Sequence, residues 1–173
     1  QNDAPELDPP GPQSTVRDTS LTFSSGNGNG ISVFDVDSDP DDLEIVLAVD
    51  EGILTLSTTS GLNFTSGSNG SSSMTFRGDQ DAINAAFDGM VYTPAGGFFG
   101  SDSLSIDVDD LGNNGAGPNG TDDAEVPITV QNFVRSELSG TAYVDADYDR
   151  NIDSEELRLA GVTVTLSGTS STS

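Results

Sequence analysis

Apolar and polar residues alternate along much of the chain with a period of two. The clearest example is "LEIVLAV", residues 43–49, in which every second residue is Leu, Ile or Val. In a β-strand this period places the apolar side chains on one face. The pattern predicts seven or eight short strands joined by turns rich in Gly, Asn and Ser. The other runs are at residues 21–23, 54–56, 74–76, 90–92, 104–108 and 126–130.

Two of the predicted strands carry further local signals. The turn "DEG" separates residues 43–49 from residues 54–56, and this spacing predicts that the two strands form a hairpin. Pro127 has no backbone N–H, so it cannot donate to a neighbouring strand on one of its sides. The run 126–130 is therefore predicted at a sheet edge or at a bulge.

One segment has a helical pattern instead. In "DQDAINAAFDG", Ile83 and Phe87 are four residues apart, as on one face of a helix. Asp79 is a suitable N-cap, and Gly89 is suited to end the helix. We predict one short helix at this place.

Two kinds of short motif have structural as well as functional interpretations. The tripeptide Arg77-Gly78-Asp79 matches the sequence that integrins bind, but three-residue matches arise by chance, and Gly78 is equally suited to turn the chain before the Asp79 cap. Glycosylation sequons at Asn63, Asn69 and Asn119 are typical of exposed loops. None of these motifs assigns a function by itself.

The predicted elements define an all-β fold with two domains. Residues 14–131 are predicted to form a two-sheet β-sandwich with one short helix. The acidic, proline-rich residues 1–13 are typical of an extended linker. After a short linker at 132–137, residues 138–173 contain only two or three strand-like runs, too few to close a core. We expect this second β-domain to be partial.

The charge and composition of the chain exclude several classes of function. It has 29 acidic residues against five basic ones, for a formal net charge of −24. Such a field repels nucleic acid and anionic membranes, so the expected counter-charges are cations. The chain has no His and no Cys, which removes the commonest general base, thiolate nucleophiles and the usual zinc ligands. No apolar run is long enough to span a membrane.

The segment "DADYDRNIDSEE", residues 145–156, has the ligand spacing of a calcium loop. Ca²⁺ takes six to eight oxygen ligands, and Asp residues at alternate positions present several of them in one turn. Arg150 stands where a helix-flanked loop has Gly, and the flanking segments 138–144 and 161–167 alternate like strands. A solvated acidic turn is the alternative. The candidate ligands are Asp145, Asp147, Asp149, Asn151, Asp153 and Glu156.

A second acidic cluster, "FDVDSDPDDLE", leads into the strand-like run 43–49. Alternate Asp residues at a strand end point one set of carboxylates toward a common ion, and without a cation they would repel each other. Asp-Pro and Asp-Asp also form ordinary turns, so a solvated turn is again the alternative. The candidate ligands are Asp35, Asp37, Asp39 and Asp41.

The C-terminal part of the chain resembles a known family. "SGTAYVDADYDRNIDSEELRLAGVTVTLSG", within residues 137–168, is similar to the start of the B-type calcium-binding repeats of Gram-positive surface adhesins of the serine-aspartate family. The resemblance implies an Ig-like module that Ca²⁺ makes rigid. It also accounts for a calcium loop of EF-hand type between strands.

Residues 1–131 resemble a different family. "QNDAP", "FDVDSDPDDLEIVL" and "INAAFDGMVYTPAGGFFGSDSLSIDVDDLGN" are similar to the cadherin-like tandem repeats of giant bacterial surface proteins. In such repeats the linker Asn-Asp and the Asp-x-Asp of the following domain share Ca²⁺ at the junction, and a site without its preceding repeat would be incomplete. The resemblance implies a cadherin-like sandwich with ligands at Asn2, Asp3, Asp35 and Asp37, and weaker candidates at Asp109 and Asp110.

These patterns favour a non-enzymatic, calcium-stiffened segment of a large extracellular or cell-surface protein. Its expected partners are neighbouring repeats of the same chain and a cell-surface or matrix ligand. Binding of Ca²⁺ to the folded loops would stabilise the folded state and make the loops rigid. The alternative is an assembly subunit, in which a strand from another chain completes the partial second domain.

Two other interpretations, an enzyme and a protein adapted to salt, account for less of the sequence. Paired carboxylates can serve a glycosidase, but no His, Lys, Cys or Trp accompanies these clustered Asp residues, so we expect no catalysis. Adaptation to a salty medium accounts for an acidic surface without Lys. It does not account for the regular spacing of the Asp residues, and it is compatible with calcium binding.

Overall fold

The computed structural model describes residues 2–36, 38, 42–112, 119–132, 143–144, 157–158 and 160. The chain divides into two compact units, Gln1–Phe133 and Val134–Ser173.

Strands make up most of the regular structure. The one α-helix among the described residues is α1, Gln80–Phe87, and a single 3-10 turn spans Ser25–Asn27. The strands are β1 Glu6–Asp8, β2 Gln13–Val16, β3 Leu21–Phe23, β4 Ser32–Phe34, β5 Leu43–Ala48, β6 Gly52–Thr55, β7 Asn63–Gly67, β8 Ser73–Gly78, β9 Met90–Pro94, β10 Gly100–Asp109, β11 Thr121–Gln131, β12 Tyr143–Val144 and β13 Leu157–Arg158.

The first unit contains three sheets. The largest has six strands in the order β2-β11-β10-β5-β8-β7, the second has the order β3-β9-β6, and the third pairs β1 with β4. In the six-stranded sheet every neighbouring pair is antiparallel except β2 and β11, which are parallel. The chain therefore crosses repeatedly between sheets.

The buried side chains of the three sheets form one hydrophobic core, which makes this unit a sandwich. Its members come from the large sheet, the three-stranded sheet, the β1–β4 pair and the helix, and include Ile45, Phe76, Ile106, Phe23, Tyr92, Leu7, Val33 and Phe87. The predicted all-β sandwich is confirmed. All seven predicted strand runs overlap observed strands, namely β3, β5, β6, β8, β9, β10 and β11.

The predicted hairpin between residues 43–49 and 54–56 is wrong. β5 pairs with β8 and β10, whereas β6 pairs with β9 in another sheet. In the connection, the N–H groups of Asp50 and Glu51 both donate to the Asp102 carboxylate, each at 3.1 Å. These bonds fix a corner between two sheets, where a hairpin would need a tight turn within one sheet.

Part of the segment predicted as a linker at residues 1–13 forms a strand. β1 pairs with β4, and its central residue Leu7 is buried opposite Val33. The apolar signal was a single residue between Glu6 and Asp8, which is too short for a period to be recognised. The sandwich therefore begins before residue 14.

The prediction for Pro127 holds only locally. β11 is not an edge strand, because it lies between β2 and β10. However, β2 pairs with it only from Ile128 onward, so Pro127 precedes the stretch that is paired on that side. The missing N–H therefore interrupts no observed pairing with β2.

The predicted helix and its cap are confirmed. The Asp79 carboxylate accepts a hydrogen bond from Ala82 N–H at 2.7 Å, which satisfies one of the free donors of the first turn. Gly78 does not turn the chain as predicted. It ends β8, and a Cβ there would lie 2.9 Å from Gly61 O, so glycine is needed for close packing.

In the second unit, the described strands form an antiparallel pair. Tyr143 pairs with Arg158, and Val144 pairs with Leu157. The predicted strand 138–144 is described only at its end, and 161–167 lies outside the described residues.

Candidate functional site

Several predicted ligands lie together at one end of the first unit, which we call the N-terminal pole. It contains Asn2, Asp3, Asp35, Asp109 and Asp110. Asp109 is the last residue of β10, and Asp110 follows it in the connection to β11. Because β10 lies between β5 and β11, these two acids are at the end of the sheet where β5 and β11 begin.

The N-terminal segment and the end of β4 reach the same pole. Ala4 lies so close to Gly120, the residue before β11, that a Cβ on Gly120 would be 2.6 Å from the Ala4 Cα. Two residues after Ala4, β1 begins with Glu6, which pairs with Phe34 at the end of β4. Asp35 therefore leaves β4 beside the N-terminal segment.

Asp110 is the most buried acid at the N-terminal pole, with 1% of its surface exposed. Its Oδ2 accepts a hydrogen bond from the Asn2 side-chain amide at 2.6 Å. Its Oδ1 accepts from the N–H groups of Gly112 and Gly120, at 2.7 and 2.9 Å. A carboxylate removed from water needs such partners, because an unpaired buried charge is very costly.

Asp109 shapes the connection that follows it. Its Oδ1 accepts hydrogen bonds from Leu111 N–H at 2.6 Å and from the Asn119 side-chain amide at 3.2 Å. Leu111 has a left-handed φ of 59°, which is uncommon for a residue with a side chain. The bond to Asp109 helps to hold Leu111 in this conformation.

Helix α1 fixes the strand that leads to Asp35. The Asp35 N–H donates to Gln80 Oε1 at 2.6 Å. One helical turn later, the Asn84 side chain binds both backbone groups of Val33, donating to its O and accepting from its N–H, each at 2.9 Å. The helix thus places Asp35 at the pole, where only 6% of its surface is exposed.

Several residues that build the pole were missed by sequence reasoning. Gln80 and Asn84 are polar residues one helical turn apart, and this spacing is a signal that could have indicated a shared polar contact. Asp122 accepts a hydrogen bond from Leu7 N–H at 2.8 Å, and it thereby pins β1 to β11. No local pattern marks Asp122 or Gly120, because Leu7 and Ala4, which they contact, lie more than a hundred positions away.

The outward face of the large sheet beside the pole is also acidic. Asp107 on β10 lies opposite Asp123 on β11, and Asp109 lies opposite Glu44 on β5. Like charges in such positions destabilise a sheet. These residues line a groove of about 390 Å³. The face therefore attracts cations to the neighbourhood of the N-terminal pole.

Two arginines of the described residues pair with acids outside the N-terminal pole. Within the part of the chain that the structure describes, Arg77 binds Glu44 at 2.7 Å and Arg17 lies 3.6 Å from Asp18. Hydrogen-bond donors bind the carboxylates of Asp109 and Asp110 at the pole.

The described residues supply only part of a calcium ligand set. Carboxylate and amide oxygens are the donors that Ca²⁺ prefers, and the pole presents both kinds. Among the described residues, however, no three Asp, Glu, His or Cys side chains are close enough together to hold a metal ion. The predicted ligands Asp37, Asp39 and Asp41 lie outside the described residues.

The predicted calcium loop of the second unit also lies outside the described residues. This applies to all six candidates: Asp145, Asp147, Asp149, Asn151, Asp153 and Glu156. The structure does show that the residues on both sides of this loop, Val144 and Leu157, are paired with each other.

Comparisons with known proteins identify no family. No protein-family model matches the sequence, and no curated protein matches it at a significant level. No helix among the described residues is long and apolar enough to cross a membrane.

Proposed function

We propose that this chain is a calcium-binding structural or adhesive segment of a large bacterial cell-surface or secreted protein. The observation that carries the proposal is the presence of two buried carboxylates at one end of the sandwich. Asp35 and Asp110 are 6% and 1% exposed, and they lie at the pole that also contains Asn2. Acidic side chains are rarely buried in a stable fold unless a cation or hydrogen-bond donors bind them.

Calcium would bind oxygen atoms of the N-terminal pole and of the acidic segment that follows Asp35. The ligands that we assign to the first domain are Asn2, Asp3, Asp35, Asp37, Asp39, Asp41, Asp109 and Asp110. Ca²⁺ takes more ligands than the described part of the pole supplies. In the cadherin-like arrangement that the sequence resembles, a neighbouring repeat shares the junction ion. The bound ion would therefore fix both the loops and the angle between modules.

The second unit would hold Ca²⁺ in residues 145–156. The pairing of Val144 with Leu157 closes this segment at its two ends. Because loop closure is an entropic cost, a strand pair that brings the ends together lowers the cost of ordering the loop around an ion. The same pairing accounts for a calcium loop of EF-hand type that needs no helices.

Calcium sites of this kind are typical of extracellular proteins. Extracellular modules bind Ca²⁺ with dissociation constants of about 10⁻⁴–10⁻³ M, far weaker than cytosolic buffers. We therefore propose an extracellular or cell-surface location, with neighbouring repeats and a cell-surface or matrix ligand as partners. The role that we propose is mechanical and not enzymatic.

Assembly through the second unit is the alternative function. It requires strands of this unit to lack partners within their own chain. The described pair joins Tyr143–Val144 to Leu157–Arg158 of the same chain, so these four residues already have partners in cis.

Thermal unfolding of the chain in excess EGTA, in millimolar Ca²⁺ and in millimolar Mg²⁺ tests the proposal. A ligand that binds only the folded state stabilises it by about 2.7 kcal/mol when present at 100 times its dissociation constant. We expect a rise in midpoint that is specific for Ca²⁺. Equal midpoints in Ca²⁺ and EGTA would refute the calcium proposal.

Variants distinguish the proposed calcium sites of the two units, and a control variant tests the effect of losing one negative charge. Asp110→Asn should reduce the calcium-dependent rise of the first unit, and a double Asp145→Asn, Asp147→Asn variant should reduce that of the second. Asp50→Asn is the matched control, because Asp50 is exposed beyond the other end of β5. It removes one negative charge but no proposed ligand, so the calcium response should be unchanged.

A further inference from the structure

Charge is absent from one long segment of this acidic chain. Residues 52–76 contain no Asp, Glu, Lys or Arg, although the chain has a net charge of −24. The segment therefore forms a neutral, polar surface on an otherwise acidic molecule. Its exposed hydroxyl-bearing residues are Thr55, Ser57, Thr59, Ser60, Thr65, Ser66, Ser68, Ser72 and Ser73.

The fold places this neutral segment at the edges of two sheets. β6 is the last strand of the three-stranded sheet, and β7 is the last strand of the six-stranded sheet. The edge of β6 is used within the chain: Leu54 N–H donates to Ser71 O at 2.9 Å, and Gly70 N–H donates to Leu54 O at 3.0 Å. A further bond runs from Leu56 N–H to Asn69 Oδ1 at 2.7 Å.

Among the described strands, β7 has a partner on only one of its sides. β7 pairs with β8 along one side, and no described strand pairs with its other side. Four of its five residues are exposed, while Phe64 packs on Phe76 with ring centroids 5.6 Å apart. β7 is therefore an anchored strand whose outer side pairs with no described strand, and an unpaired strand edge is the feature that an added strand uses.

We propose that β7 is a self-association surface, at which the β7 strands of two copies of this chain pair antiparallel about a two-fold axis. A pairing centred on Thr65 places this residue opposite its own copy, and it places Asn63 opposite Gly67. Like charges directly opposite each other destabilise a sheet. β7 contains no charge that such a pairing would bring together.

The charge distribution identifies a second copy as the occupant of this edge. In a two-fold interface the same surface patch meets itself, so a patch that carries charge of only one sign would repel its copy. Repulsion between two copies of net charge −24 is smallest where charged residues are absent, and that is the segment containing β7. A cationic partner would instead be attracted to the acidic outward face of β10 and β11, on the other side of β5 and β8.

The local geometry of β7 sets the strength of the contact. The register against β8 shifts between Phe64 and Ser66, which is a β-bulge. Bulges twist an edge and disfavour long edge-to-edge pairing. We expect a short pairing, and therefore a weak and reversible dimer rather than a fibre.

Sedimentation equilibrium of the full chain in EGTA tests this inference independently of calcium binding. The weight-average mass should rise toward twice the monomer mass between about 10 μM and about 1 mM protein, the range in which a weak interface dissociates. The rise should be steeper in about 1 M NaCl, where the Debye length is roughly 3 Å. A monomer mass throughout both series would overturn the proposal.

Two variants with the same change in charge locate the contact. Thr65→Lys puts a charge opposite its own copy and should weaken association by about tenfold or more, since like charges oppose pairing. Ser14→Lys puts the same charge on β2, where Ser14 is exposed at the other edge of the same sheet. Association of this control should equal that of the wild type.

Folding of each variant is checked by circular dichroism before its mass is compared. Ser66→Lys, at another exposed position of β7, replaces Thr65→Lys if that variant does not fold. Wild-type association in the folded β7 variant, or equal weakening in the β7 and β2 variants, would show that the contact lies elsewhere and would overturn the proposal.

Discussion

The side-chain amide of Asn2 donates a hydrogen bond to Asp110 Oδ2 at 2.6 Å, although the two residues are 108 positions apart in the chain. The bond ties the N-terminal segment to the connection between β10 and β11. The other oxygen of Asp110 accepts from the N–H groups of Gly112 and Gly120 in that connection. This carboxylate therefore organises the N-terminal pole through hydrogen bonds.

Replacing Asn2 by Ala should lower the free energy of unfolding by roughly 1–2 kcal/mol, because a part-buried hydrogen bond to an ionised group is lost. Urea unfolding followed by circular dichroism measures the loss. Asn119→Ala is the matched control: its amide bond to Asp109 is exposed and longer, at 3.2 Å. Its loss should cost less than about 1 kcal/mol, and equal losses in the two variants would contradict the prediction.

A methyl group at Gly120 should disrupt the same pole. The added Cβ would lie 2.6 Å from the Ala4 Cα and 2.7 Å from Asp110 Oδ2, so the N-terminal segment would have to move. We expect Gly120→Ala to destabilise the fold by about 1–3 kcal/mol, the usual cost of overpacking. It should also speed hydrogen exchange of the Leu7 amide, which is bonded to Asp122.

Gly11→Ala is the control for this variant. A Cβ at Gly11 meets no atom within 4 Å, and its backbone is not left-handed. Its stability should change by less than about 0.5 kcal/mol, as for ordinary surface substitutions. Wild-type exchange at Leu7 in Gly120→Ala would show that the close approach of Ala4 does not hold the segment in place.

Strand positions in the first unit were predictable wherever one face is apolar over several residues. β5 and β10 have long alternating patterns, and both were found. β1 has one buried residue, Leu7, and β7 has one part-buried residue, Phe64, so neither shows a period. Short strands of this kind depend on pairing with neighbours that the local sequence does not reveal.

Strand pairing and the contacts of the site were less predictable. The prediction of a hairpin was wrong because Asp102, about fifty positions away in sequence, binds Asp50 and Glu51 and holds them at a sheet corner. Asn2 and Asp110 were candidates through resemblance, but neither pattern nor composition indicated that they bond to each other. Long-range contacts follow from topology, and alternation alone does not specify topology. The proposed ligands at residues 37–41 and 145–156 stay predictions.

The cap of helix α1 should be worth a measurable part of the stability. Asp79→Ala removes the acceptor for Ala82 N–H, and we expect a loss of about 1 kcal/mol. Asp81→Ala is the control, since Asp81 lies in the first turn and should contribute only about 0.3–1 kcal/mol through the helix dipole. Urea unfolding of both variants measures the difference, and a larger loss for Asp81→Ala would contradict the assigned cap.

The same contacts favour the structural interpretation of the Arg77-Gly78-Asp79 tripeptide. Arg77 binds Glu44, Gly78 is buried against Gly61, and Asp79 caps the helix. A receptor that binds this tripeptide would have to break these contacts first. We therefore expect a surface coated with the folded chain to bind no integrin, and binding that is abolished by Asp79→Glu would contradict this expectation.

The corner between β5 and β6 gives the fold a defined response to alkaline pH. Tyr92 is fully buried, and its hydroxyl donates to Asp102 at 2.7 Å and to Glu51 O at 3.1 Å. Burial, followed by the hydrogen bond and the charge of Asp102, raises the pKa of Tyr92 far above its ordinary value of 10.0. The folded state therefore keeps this proton at pH values where the unfolded state loses it.

Stability from the protonated Tyr92 is fully present below pH 10 and is lost as the pH rises above it, because the unfolded state then binds fewer protons. We expect the free energy of unfolding to fall by up to about 1.4 kcal/mol per pH unit above pH 10. Tyr92→Phe should be less stable at pH 7 by about 1–3 kcal/mol, because Asp102 loses a donor. The variant should lose less stability than the wild type between pH 10 and 11. Urea unfolding at each pH measures both slopes, and equal slopes would mean that another group causes the alkaline loss.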